Sequence, residues 1–173
     1  MIRLSISGNT ATITIDEPER RNALSNEALG ELGTALKAAC ADDTVRVVVV
    51  TGAGDRAFSA GGDLSGGFVD APLADHGNRG ALAELVRAMR RCPKPIVARV
   101  NGHALGGGLG LVAACDIAIA ADHARFGTPE IAVGLWPMMI TAEITRNIGR
   151  KKALELMLSG KRIAAAEAER IGL

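Results

Sequence analysis

Two glycine-rich turns, each set behind a strongly apolar run, constrain this chain more than any other feature. Phe58-Ser59-Ala60-Gly61-Gly62-Asp63-Leu64 follows Val47-Val48-Val49-Val50, and Asn101-Gly102-His103-Ala104-Leu105-Gly106-Gly107-Gly108 follows Ile96-Val97-Ala98-Arg99-Val100. Glycine has no Cβ, so its N–H can approach a ligand closely. Two such N–H groups converging on one point stabilise negative charge on a carbonyl oxygen. The bland alternative is that these glycines only close tight turns. A dinucleotide fingerprint is absent, because Ala104 lies two residues after Gly102 and Leu111 three after Gly108. No Gly-Lys-Ser/Thr phosphate loop occurs, and Ala57 breaks a hydrolase elbow around Ser59.

The 173 residues suit one domain with a substantial core. Aromatic residues reach only 2%, so Ala, Val, Ile and Leu must fill the interior. Twenty basic and 19 acidic residues leave no charge footprint for nucleic acid or an anionic membrane. Cys40, Cys92 and Cys115 are odd in number and far apart, with no CxxC. Neither a zinc site nor a disulfide framework is suggested, and reduced thiols in cytoplasm are expected. Met1-Ile2-Arg3-Leu4-Ser5-Ile6 reads as a strand rather than a signal peptide. No charge-free apolar stretch reaches the roughly 20 residues of a membrane span. A soluble cytoplasmic protein is the expectation.

Residues 2–7 and 10–16 read as strands joined by a Gly8-Asn9 hairpin turn, and Ser25 as the cap of an amphipathic helix. Val45 to Thr51 lacks alternation and reads as a strand covered on both faces. A polar loop spans roughly 65–78, then a helix spans 80–91 and ends before Pro93. Strand 96–100, a short helix toward Ala114, strand 117–121, helical pattern over 141–158 broken at Gly149, and an Ala-rich helix over 164–171 complete the chain. The recurring order makes the fold class α/β.

The two turns, Pro18-Glu19-Arg20-Arg21-Asn22-Ala23-Leu24, Cys115-Asp116-Ile117-Ala118, Phe126-Gly127-Thr128-Pro129-Glu130 and Leu158-Ser159-Gly160 together resemble the enoyl-CoA hydratase/isomerase (crotonase) family, in order and across essentially the whole chain. The resemblance implies a crotonase-like spiral of repeated ββα units, a single core domain over 1–173. It also implies that a C-terminal helical region is absent, which reads as a fragment in preference to a shortened family member.

By the same resemblance, Gly62 and Gly107 supply the oxyanion-hole N–H groups, and Glu130 faces the α- and β-carbons of an acyl-CoA as general acid/base; a solvated loop carboxylate is the alternative. Arg20, Arg21, Ala23 and Leu24 match the segment contacting nucleotide and phosphates, and Ala60, Asp63 and Leu64 present backbone to adenine and pantetheine. Gly110 stands where two-glutamate hydratases carry their second carboxylate. Met138 and Met139 replace glycines after Pro137, reshaping the acyl end of the pocket or merely packing the core. Glu143 is a replacement carboxylate or, preferably, a solvated helix residue.

His76, His103 and His123 lack metal-ligand spacing, and Asp116 reads as an anchor for a strand end. Coenzyme A enters as part of the substrate, and no metal or redox cofactor is implied. Partners are an acyl-CoA thioester and, at full length, further copies in a homotrimer or hexamer, with no nucleic acid or membrane. Enoyl-CoA hydration and 3-enoyl to 2-enoyl isomerisation are the leading reactions, a lone Glu130 favouring the second. A non-catalytic CoA-thioester binding module and a serine hydrolase using Ser59 remain as alternatives from other classes.

Overall fold

The computed structural model describes residues 1–62 and 80–173. The expectations for Asp63, Leu64, the polar loop and His76 fall outside them. β1 (Ile2–Ser7) and β2 (Thr10–Ile15) form the hairpin, and α1 (Asn26–Ala41) follows. The α1 start is the predicted one, with Ser25 Oγ accepting the Ala28 N–H at 3.1 Å. The chain then runs through β3 (Val47–Gly52), β4 (Ala57–Ser59), α2 (Ala81–Arg91), β5 (Ile96–Val100), β6 (His103–Leu105) and α3 (Gly107–Ala114). β7 (Ile117–Ala120), β8 (Arg125–Gly127), α4 (Thr141–Ser159), β9 (Arg162–Ala164) and α5 (Ala165–Ile171) complete it.

The strand–strand–helix repeat has a simple spatial meaning. In each of the units β3-β4-α2, β5-β6-α3 and β7-β8-α4, the first strand joins a five-stranded sheet ordered β1-β2-β3-β5-β7. The second strand joins a smaller sheet ordered β4-β6-β8-β9. Within both sheets the strands from successive units are parallel, as Val48 opposite Ile96 and Val97 opposite Ile117 illustrate. The turns after β4, β6 and β8 therefore leave the small sheet at the same end. They carry Gly61-Gly62, Gly106-Gly107 and Pro129-Glu130 respectively.

One apolar core runs from α1 and α2 under the large sheet to α3 and α4. Ile13, Val48, Ile96 and Ala98 fill it from the sheet, while Phe58 and Phe126 reach it from the small one. α3 has no polar face, and Gly107 to Ala113 are all buried, as a helix apolar on every side requires. In α4 the predicted break is real: Gly149 takes φ 74°, ψ 157° inside the helix.

Three expectations are corrected. β3 is not covered on both faces: Val48 and Val50 are buried, while Val47 and Val49 are half-buried. Cys40 and Cys92 are joined in a disulfide, Cα atoms 5.9 Å apart, because α1 and α2 pack side by side and end at the same level. Cysteine spacing cannot register a contact between two helices, and the inference from reduced thiols to a reducing compartment loses its footing. Cys115 is free; burial pushes its thiol up to about 12, and Sγ lies 3.2 Å from the Leu111 carbonyl. Glu143 is not solvated but 7% exposed, because Arg90 reaches across from α2 and binds its Oε2 at 2.5 Å, with Arg146 at 3.4 Å. No helix among the described residues is long and apolar enough to cross a membrane.

Candidate active site

The segment leading into α1 is fastened to the small sheet by Asn22. This side chain is fully buried and has a positive φ of 55°. Its Nδ2 donates to the Ala53 and Ala57 carbonyls at 3.0 and 2.7 Å, and its Oδ1 accepts the Glu17 N–H at 3.0 Å. Buried amides rarely go unpaired, and this one uses its polar atoms to hold two chain segments together. Asn22 was quoted within a motif but given no role; its burial is a tertiary fact. The neighbouring backbone then pairs directly: Ala60 N–H donates to Arg21 O at 2.9 Å, and Leu24 N–H to Gly61 O at 2.8 Å.

The two glycine turns meet as expected from their matching strand ends. A Cβ placed on Gly61 would lie 3.1 Å from Gly107 N, and one on Gly107 would lie 3.7 Å from Gly62 N. Gly107 opens α3, where the helix offers its N–H no partner and its dipole adds positive potential. Leu24 and Leu82 close over Gly107, each with a methyl 3.3–3.4 Å from such a Cβ. Leu82, which sequence pattern could only assign to a core face, thus packs apolar surface against the second turn.

Glu130 completes the cluster from the third turn, on the 3-10 segment Pro129–Val133. Gly106 has φ 51°, and a Cβ there would stand 2.8 Å from Glu130 Oε1, so only glycine lets the carboxylate lie against the second turn. Glu130 Oε2 is buried with no hydrogen-bond partner among the described residues. Burial pushes the carboxyl above the usual carboxylate range. A partly buried carboxyl with one unpartnered oxygen, set beside the helix-start N–H of Gly107, is suited to moving protons while an oxyanion is stabilised.

The position one helical turn beyond Gly106, Gly110, faces Ile140. A Cβ at Gly110 would fall 2.0 Å from Ile140 Cγ2, so this wall is filled by an apolar side chain. Met138 is 76% exposed and does not pack the core; it stands in an apolar run with Ile131, Val133 and Trp136. Ser59 is fully buried, and its Oγ accepts the Gly61 N–H at 3.1 Å, so it positions the turn and is closed to a substrate. Asp116 acts as expected, its Oδ2 accepting the Ile96 N–H at 2.7 Å.

Among the candidate substrate contacts, Arg21 and Ala60 share a cavity of about 600 Å³, into which Arg56, His103 and Arg162 also open. Arg20 instead turns toward Glu17, 3.8 Å away, and Ala23 is half-buried beside Leu24. Among the described residues no group of three His, Cys, Asp or Glu side chains gathers as a metal would require.

Residues 5–173 match the family model described as enoyl-CoA hydratase/isomerase. The chain is 37% identical to the short-chain-enoyl-CoA hydratase of Clostridium acetobutylicum, covering 98% of this chain and 66% of that protein. It is 38% identical to the 2,3-dehydroadipyl-CoA hydratase of Escherichia coli, covering 93% and 62%. A solved enoyl-CoA hydratase from Mycobacterium smegmatis superposes with a TM-score of 0.94 at 34% identity, over 99% of this chain and 67% of that one. The chain thus spans a little under two thirds of the length of the curated relatives it matches.

Proposed function

Because the chain belongs to the enoyl-CoA hydratase/isomerase (crotonase) family, we propose that it binds an acyl-CoA thioester with the thioester oxygen between the Gly62 and Gly107 N–H groups and Glu130 as the acid/base. The observation that carries this reading is the meeting of the three turns, with the Glu130 carboxyl, its Oε2 unpartnered among the described residues, against Gly106, and with Gly107 at a helix start. The reaction it supports best is isomerisation of a 3-enoyl to a 2-enoyl thioester. Glu130 takes a proton from C2, and the charge that spreads onto the thioester oxygen is held by the two N–H groups. The protonated Glu130 then returns the proton to C4, leaving the double bond between C2 and C3. Nothing else is consumed, so one carboxyl suffices.

Ile140 favours this over hydration, because it fills the space beside Gly110 with hydrocarbon where a second carboxyl would have to stand. Hydration of a 2-enoyl thioester is the second reading, favoured by the names of the relatives. Ultraviolet absorbance of the conjugated thioester separates them in the native protein. A 3-enoyl-CoA is expected to gain absorbance, and Glu130→Gln to slow the gain by about 10²- to 10⁴-fold, the usual contribution of a positioned acid/base. Absorbance lost from a 2-enoyl-CoA, with no gain from the 3-enoyl substrate, assigns hydration. No change with either rejects both.

A further inference from the structure

α3 carries both Gly107 and Gly110, yet it has no polar side chain with which to fix its own position. Its neighbours hold it. From α2, a Leu82 methyl stands 3.3 Å from a Cβ placed on Gly107, and Ile140, which caps α4, fills the space beside Gly110. Asn147 on α4 donates from Nδ2 to the Ala113 carbonyl at 2.7 Å, so α4 holds the far end of α3 as well. α2 and α4 are in turn joined to each other. Arg90, in the last turn of α2, donates to Glu143 Oε2 from Nε at 3.2 Å and from Nη2 at 2.5 Å. Glu143 is buried in the first turn of α4, three residues after Ile140. The pair lines a cavity of about 230 Å³ together with Ala113 and Asn147. Charge-assisted bonds of this kind fix direction as well as distance.

We propose that Glu143 is a positioning residue for the candidate site, acting through Arg90 to brace α2 against α4 and so hold α3 between Leu82 and Ile140. A buried ion pair adds little stability over apolar packing of the same volume, so fixed geometry is what this one supplies. Neither partner lines the cavity shared by Arg21 and Ala60, so the brace acts at Gly107 and Gly110 and not on that cavity. Resting on the proposed acyl-CoA reading, loss of the brace displaces the Gly107 donor and the Ile140 wall relative to Glu130. A shift of about 1 Å between reacting groups can cost about 10²-fold in rate. Contacts in the ground state survive, so the cost falls on kcat and not on KM. Arg146 is an internal control. It lies 3.4 Å from the same Glu143 oxygen but on the same helix, and cannot tie α4 to α2.

Steady-state kinetics of the native protein with a 3-enoyl-CoA and a 2-enoyl-CoA test the brace, with amide exchange at Gly107 to Gly110 measured alongside. Glu143→Gln and Arg90→Ala are each expected to lower kcat about 10- to 100-fold, with KM changed less than about 3-fold. The double variant should be no slower than the worse single one, because both remove the same tie. Arg90→Lys should recover part of the rate lost in Arg90→Ala, and Arg146→Ala should leave the rate unchanged. Exchange at Gly107 to Gly110 should quicken in Glu143→Gln and Arg90→Ala at temperatures where melting curves show them folded. A lower melting temperature with kcat, KM and exchange unchanged makes the pair a stability contact alone and overturns the proposal. A rise in KM with kcat intact overturns it too. An equal loss of rate in Arg146→Ala does the same, by placing the effect within α4. If the parent protein turns over neither thioester, the acyl-CoA reading falls, and the exchange rates alone decide whether the brace holds α3.

Discussion

Glu130 is held where its charge is poorly solvated, and this has a consequence for stability as well as chemistry. Burial raises its pKa in the folded protein, so the folded state holds this proton more tightly than the unfolded state. The carboxyl is therefore harmless below the ordinary carboxylate range and increasingly unfavourable as pH rises through its raised folded value. Glu130→Gln should melt above the parent protein at pH 7–8, with the gain shrinking to nothing as pH falls toward 4. Thermal melts across that range check it; a gain that persists at low pH would assign the effect to packing rather than charge. Loss of activity with gain of stability is what a functional carboxylate predicts. Gly62, Gly107 and Glu130 were singled out by the family resemblance of their motifs, whereas their meeting behind β4, β6 and β8 is a tertiary fact. The pairing of Glu143 with Arg90 was not, since the partners lie 53 residues apart on different helices.

Between elements, the disulfide is the tie with most leverage. Cys40 closes α1, Cys92 follows α2, and the bridge spans 52 residues of sequence that include both glycine-turn residues Gly61 and Gly62. A loop of that length restricts the unfolded chain by about 4 kcal/mol in the chain-entropy treatment, and measured effects run at about 2–4 kcal/mol. Reduction with a phosphine should lower stability by about that amount, and the Cys40→Ser/Cys92→Ser double variant should match the reduced protein and ignore the reductant. Denaturant titration with and without reductant reads both. Helices and long strands were placed by their periodicity and caps. The strands of the small sheet were hidden, because three-residue segments such as Ala57–Ser59 and His103–Leu105 have no measurable period and sit inside glycine-rich text.

Over the whole molecule, burial is strongly one-sided. Val48 and Ile96 are sealed in the core, while Ile117 and Ile119, on the edge strand β7 of the same sheet, are 54% and 63% exposed. Both kinds of residue look alike in a hydropathy profile. Ile96→Ala should cost about 2–5 kcal/mol, as a buried large-to-small change does, whereas Ile119→Thr should stay within about 0.5 kcal/mol. Urea midpoints of the two variants test the asymmetry, and comparable losses would mean that β7 is covered in solution.

Two repeated strand–turn–helix signals and a third turn with Pro129-Glu130 are local features. They rest on backbone conformation and short-range pattern, so the sequence by itself determined the α/β class and the order of most elements, while the family resemblance singled out Gly62, Gly107 and Glu130 as candidates. What surrounds those residues came only from tertiary structure. The Ile140 wall at Gly110, the Leu24 and Leu82 cover over Gly107, the Asn22 clamp, the Cys40–Cys92 bridge and the gathering of Arg21, Arg56 and Arg162 in one cavity all join residues distant in sequence. Their chemistry depends on distance in space and on exclusion of water, and neither quantity is written in the order of residues along a chain.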